Sequence, residues 1–203
     1  FFDNPYWIRE KPLQYTLFNI LGKRLIRRAD GLRVVNPSER EKYIAYGVPS
    51  ERILFQPTPV PVEKFLDPPE EPSPKAVRER WQLHGKRVLL WVGDPAQKAK
   101  DLLTLLESLA HVGRTIPEAR LLLCGDFSGA PGYADEVRRR RLGGKVIFAG
   151  RIAHDELPAY YHACDLYVHV SFYEGLAKAM VEAAASGKPI VATAFPGVEA
   201  IVQ

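Results

Sequence analysis

At 203 residues the chain has room for one large or two small domains, and its 46% apolar content is that of an ordinary globular protein. A formal net charge of +4 suits anionic ligands or an anionic surface; it is too small to imply nucleic acid, which is not expected as a partner. No run of 18 apolar residues is present to span a membrane, and Cys124 and Cys164 stand far apart in apolar contexts, as reduced core thiols of a cytoplasmic protein would.

In chain order, a basic amphipathic helix is predicted over residues 14–28. Trp7, Phe18, Leu21, Leu25 and Ile26 of this opening segment are set among Lys11, Lys23, Arg24, Arg27 and Arg28. Such a helix either packs within a domain behind a basic outer face, the favoured reading, or lies on an anionic leaflet as a peripheral membrane contact. A strand at 31–35, a helix at 38–46 with Pro37 in its first turn and Asn36 as its cap, and a strand at 52–55 follow. Prolines 57, 59, 61, 68, 69, 72 and 74 then make residues 57–75 read as a semi-rigid link without regular structure.

From residue 88 onward, short apolar runs alternate with amphipathic stretches. Strands are predicted at 88–92, 121–124, 146–148, 166–170 and 190–192, and helices at 100–113, 132–142, 155–164 and 175–186. Leu102, Leu103, Leu105, Leu106 and Leu109 supply a buried stripe, and Gly187 stands where the last helix should end. This order predicts an α/β fold, a Rossmann-like doubly wound parallel sheet whose ligands bind beyond the carboxyl ends of the strands.

The candidate chemistry lies at one such strand end. Glu174 and Glu182 bracket a predicted helix mouth beside Gly175, where free backbone N–H groups and the positive helix end favour an anion. Eight helical residues rise about 12 Å, which would set Glu174 at the mouth and Glu182 two turns deeper. That suits a ligand with a negative centre and hydroxyl groups on both sides, such as a nucleotide diphosphate-sugar. No D-x-D pair is present to hold a cation on a diphosphate, so no metal is expected and Lys98, in the loop after the first of these strands, is the expected phosphate ligand, with Lys100 as fallback. The run Arg138–Arg141 reads as a solvated helix face, and His154, His162 and His169 as structural histidines without metal-ligand spacing.

The span Glu174 to Glu182 resembles the E-x7-E motif of retaining glycosyltransferases of family 4, which have the GT-B fold. Residues 182–193 are similar to that family's "EAMACGKPVVAT", and residues 89–93, 119–126 and 145–150 fall where the family keeps the first three strands of its C-terminal domain. The resemblance runs from about Ala29 to the chain end. It implies a tail of the N-terminal acceptor domain at 1–56, a linker at 57–75 and a C-terminal nucleotide-sugar-binding domain at 76–203. Most of the N-terminal domain and the closing elements are expected to lie outside this chain.

By the same resemblance, Glu174 contacts the donor sugar and Glu182 accepts from the ribose hydroxyls. The N–H groups of Gly175, Leu176 and Ala177 face the sugar and diphosphate, and Gly93 opens the phosphate loop. Ala177 replaces a frequent family Gly, and Asp94 stands where the family keeps an Arg. Arg151 and Ile152 lie where the family lines its nucleobase pocket; Arg151 is equally readable as an exposed loop cation. The implied activity is a metal-independent, retaining transfer of a hexose to an alcohol acceptor of unknown identity, with no cofactor beyond the donor substrate. Two alternatives stay open: another GT-B enzyme such as a sugar-nucleotide epimerase, and a non-catalytic nucleotide-binding module.

Overall fold

A computed structural model describes residues 6–97, 99–196, 198 and 201. The chain divides into two compact units, the first drawn from Phe1–Pro59, Phe172–Leu176 and Ala194–Gln203, the second from Val60–Ser171 and Ala177–Thr193.

In the first unit, helices α1 (Tyr6–Glu10) and α2 (Pro12–Leu17) lead through a π-helical stretch (Phe18–Gly22) into α3 (Lys23–Ile26). The helix expected at 14–28 is thus helical with one widened turn. Strand β1 (Leu32–Val34), helix α4 (Pro37–Ala45), a 3₁₀ turn (Ser50–Arg52) and strand β2 (Ile53–Phe55) follow. The two strands pair in parallel, Leu32 opposite Ile53. Val34, Val48 and Ile53 form the small core, with Ile26 packed against it. The Lys23 ammonium lies 4.3 Å from the Tyr46 ring centroid, and Arg27 donates to the Tyr46 carbonyl. These two cations tie α3 to the end of α4, which accords with the packing reading of the basic helix.

The second unit contains α5 (Glu63–Leu66), α6 (Pro74–Arg80), β3 (Arg87–Val92), α7 (Leu102–Thr115), β4 (Ala119–Cys124), α8 (Gly132–Arg139), β5 (Val146–Gly150), α9 (Leu157–Ala163), β6 (Leu166–His169), α10 (Lys178–Ala185) and β7 (Ile190–Ala192). Its five strands are all parallel, in the order β5-β4-β3-β6-β7. This is the doubly wound α/β sheet that the hydrophobic pattern predicts, with its topological switch point between β3 and β6. Leu102, Leu105, Leu106 and Leu109 of α7 are buried against Trp91, Leu121 and Leu123 of the sheet. Leu103 falls off that stripe and is 44% exposed, because a helix repeats its face at three and four residues, not at one.

Two expectations change. Residues 57–75 are not without structure: α5 forms between the proline clusters, and its Phe65 is fully buried. The prolines flank that turn rather than interrupt it, and Pro74 sits at the first position of α6, where a missing N–H costs nothing. The last helix begins at Lys178 rather than 175, with Ala177 as its N-cap residue. It ends as predicted: Gly187, at φ +65°, donates to Ala184 O while Lys188 donates to Ala183 O. The basic run at the end of α8 is the largely exposed face expected, with Arg138 pairing with Asp135, and Arg139 and Arg140 with Glu136.

Candidate functional site

At the carboxyl ends of β3, β4 and β5 the second unit holds a cavity of about 470 Å³. Its floor is backbone. The Gly93 N–H donates to Cys124 O at 3.0 Å, and the Gly125 N–H donates to Gly150 O at 2.9 Å, so the three strand ends are fastened in sequence. A side chain at Gly125 would put its Cβ 2.2 Å from Gly93 O, so only glycine allows this approach. Gly93, Asp94, Asp126, Arg151 and Ile152 line the cavity together with Leu157 of α9. The Gly93, Arg151 and Ile152 expected at the site are therefore brought together, and Arg151 is at once a lining group and an exposed cation.

The carboxylates of the lining are organised by their own loops. Asp94 accepts from the Ala96 N–H at 3.0 Å and from the Gln97 side-chain amide at 3.3 Å, so the residue at the expected Arg position braces the loop it begins. Asp126 accepts from the Ser128 N–H at 2.9 Å. Hydrogen bonds from Ser128 hold its carboxyl below the usual aspartate value, with a smaller contribution from the charge of Arg151. Cys124, also in the lining, is an inert thiol: burial pushes it far above the ordinary cysteine range. With two carboxylates and one guanidinium, this wall suits a base and hydroxyls better than a diphosphate.

A phosphate ligand must come from the rest of the loop after β3. Lys98 lies outside the described residues. The half-buried Lys100 donates its backbone N–H to Gln97 O at 2.9 Å. The end of this loop is anchored from just beyond β6: Ser171 donates its hydroxyl to Ala99 O at 3.0 Å. Ser171 is also clasped to the strand after it in the sheet, its N–H donating to Thr193 Oγ1 and the Thr193 hydroxyl donating back to Ser171 O, both at 2.8 Å.

The two acids of the motif belong to different units. Glu174, Gly175 and Leu176 lie in the first, against the start of α4. Asn36, 1% exposed, accepts the Glu39 N–H with Oδ1 at 2.8 Å and donates from Nδ2 to Gly175 O at 2.8 Å. Glu39 accepts from the Val35 N–H at 3.2 Å and from the Tyr173 hydroxyl at 3.3 Å. The cap of one helix therefore fixes the loop that carries Glu174, and residues 174–177 are not the first helical turn on which an eight-residue helical rise between the two acids depends.

Ala177 and Glu182 lie in the second unit. Glu182 is 6% exposed; its Oε2 accepts from the Tyr161 hydroxyl at 2.8 Å, and its Oε1 lies 3.3 Å from His154 Nε2. Burial raises Tyr161 well above the ordinary phenol range, aided by Tyr167 and by the Glu182 charge, so the hydroxyl remains a donor. Glu182 is not among the residues that line the cavity. Asn36 as a loop anchor, Tyr161 and His154 are the groups that sequence reasoning missed. Each acts across a wide separation, and no local pattern announces it. His162 and His169 are structural as expected, the first bonded to Phe65 O at 3.0 Å, the second 3.3 Å from the Tyr167 hydroxyl. Among the described residues no group of three or more His, Cys, Asp or Glu is placed to hold a metal ion, and no helix is long and apolar enough to cross a membrane.

The chain is similar to mannosylfructose-phosphate synthase of Agrobacterium fabrum, 29% identical over 182 residues that make up 85% of this chain and 39% of that protein. It therefore spans well under half of that relative. Among solved structures, Anabaena HepE in complex with UDP-glucose superposes with a TM-score of 0.77 at 21% identity, over 95% of this chain and 53% of that one. Sucrose-phosphate synthase from Thermosynechococcus elongatus gives 0.70 at 26% identity, over 88% and 44%. The family model for glycosyl transferases group 1 matches residues 86–203, which include the whole five-stranded sheet, and the chain belongs to that family, with the α/β fold of GT-B glycosyltransferases.

Proposed function

We propose that the chain is the donor-binding part of a retaining glycosyltransferase that moves a hexose from a nucleotide diphosphate-sugar to an alcohol acceptor. The observation that carries this reading is the glycine-floored cavity at the strand ends, lined by Gly93, Arg151 and Ile152 inside the segment matched by the family. Support also comes from HepE, whose structures hold UDP, glucose or UDP-glucose.

In this reading the nucleobase enters the cavity against Ile152, and Glu182 accepts from the ribose hydroxyls. Lys98, with Lys100, neutralises the diphosphate. Glu174 contacts the sugar hydroxyls, and the N–H groups of Gly175, Leu176 and Ala177 face the sugar and phosphates. The bond between the anomeric carbon and the phosphate oxygen breaks while the acceptor oxygen bonds to that carbon on the same face. The acceptor's proton passes to the departing phosphate. The protein supplies position and positive charge, with no metal or further cofactor. Exposed Leu21 and Leu25 beside Arg24 and Arg28 add a surface for peripheral contact with an anionic membrane from the cytoplasmic side.

The test is calorimetric titration with UDP, GDP and ADP. Wild type should bind one of them, and Glu182→Ala should weaken that nucleotide by about 10-fold or more, the cost of losing hydrogen bonds to a charged group. Undiminished affinity in the variant would overturn the assignment of Glu182. The anomeric configuration of the product, read by NMR, tests retention. The bracing role of Asp94, at a position where the family keeps a cation, favours a second reading as a nucleotide-binding module without transfer, and donor turnover would exclude it.

A further inference from the structure

The carboxylate of Glu182 is held from two directions by groups with no assigned role. Tyr161, on α9, takes Oε2 at 2.8 Å; His154, in the loop before α9, stands 3.3 Å from Oε1. The two partners differ in accessibility. Tyr161 is fully buried, whereas the His154 side chain is 49% exposed and that of Glu182 only 8%. A core histidine would be enclosed; this one is half exposed beside a nearly buried acid.

The surroundings fix the imidazole. Phe65 of α5, fully buried, meets His154 edge-on with centroids 5.7 Å apart and Tyr161 edge-on at 5.6 Å, so one ring wedges both partners of the carboxylate. The next residue, Asp155, is pinned to α5 by Lys64 at 2.6 Å. Each carboxylate oxygen has two lone-pair directions, and the protein engages one contact on each. An acid so held keeps acceptor capacity for a vicinal diol while losing the freedom to rotate.

We infer that His154 is a positioning residue which, opposite Tyr161, locks the Glu182 carboxylate in the orientation that accepts the ribose diol of the donor. This rests on the reading that Glu182 binds the ribose, and the two ideas fail separately in one experiment. The affinities of UDP and of 2′,3′-dideoxy-UDP are measured calorimetrically for the full chain and its variants, GDP or ADP and their dideoxy forms replacing them if those bind instead.

With wild type, the diol form should bind about 10-fold more tightly than the dideoxy form, the worth of hydrogen bonds to a charged acceptor. Glu182→Ala should abolish that preference. His154→Ala should cut it to about 2-fold while leaving dideoxy-UDP affinity unchanged, and His154→Gln, whose amide also donates, should restore most of it. A structural role would weaken both nucleotides together. If His154→Ala keeps the full diol preference, or lowers both affinities equally, while Glu182→Ala still abolishes the preference, the positioning role is wrong and the ribose reading stands. If Glu182→Ala leaves the preference intact, the ribose reading itself is wrong and the inference falls with it. Tyr161→Phe, which removes only the opposing hydroxyl, should also reduce the preference; an unchanged preference there together with an unchanged one in His154→Ala would show that the acid needs no lock.

Discussion

The two compact units hold themselves together in different ways. In the second, Leu106, Leu109, Leu121 and Trp91 are 0–1% exposed, and the five-stranded sheet carries the buried face of α7. In the first, a two-stranded sheet buries Val34, Val48 and Ile53, while Leu13 and Leu25 stay 67% and Leu54 61% exposed. A two-stranded sheet has little surface to shield from water. The second unit is therefore stabilised mainly by apolar area removed from solvent, the first by directed local ties such as the Asn36 cap and the Lys23 and Arg27 contacts with Tyr46.

The contrast is sharpest in the cores. Leu106→Ala should cost about 2–5 kcal/mol in urea denaturation, as emptied core sites do. Leu25→Ala in the first unit should stay within about 0.5 kcal/mol. Equal losses would erase the distinction. Next comes the backbone floor of the cavity, where the second unit depends on closeness rather than bulk. Gly125→Ala would push a methyl onto Gly93 O, at an expected cost of about 1–3 kcal/mol by overpacking, with weakened nucleotide binding. A melting temperature and a nucleotide affinity both equal to wild type would mean that the strand ends yield easily. The smallest effect tests the first unit's local ties. Asn36→Ala should lose about 1 kcal/mol as a removed cap. Its particular signature is faster amide hydrogen exchange at 173–176, since the same side chain holds Gly175 O; unaltered exchange there would reduce Asn36 to an ordinary cap.

Much of the fold was legible because it is written in short-range terms. The apolar runs at 88–92, 121–124 and 146–148 are short, rich in branched residues and flanked by turn formers, so they reveal buried parallel strands directly. Asn36-Pro37 and Gly187 announce a helix start and a helix end by their own chemistry. Where the reading fell short, the deciding contact lies far along the chain. The late start of α10 goes with Gly175 being held by a residue 139 positions away. The helix α5 was hidden by its proline neighbours, although the burial of Phe65 is what fixes it. At the site, Gly93, Arg151 and Ile152 were recoverable from their positions after strands. The hold on Glu182 was not, because His154 carries no local sign of a carboxylate 28 residues onward.

The mutual bonds of Ser171 and Thr193 have a mechanical consequence. The backbone leaves the second unit immediately after each of these residues, at Phe172 and again at Ala194. Two departures thus share one knot, to which the neighbouring loop is stitched through Ala99. Displacing either departing segment therefore strains the same pair of bonds that holds the other, and with it the tether to Ala99, as with two cords spliced to a single cleat.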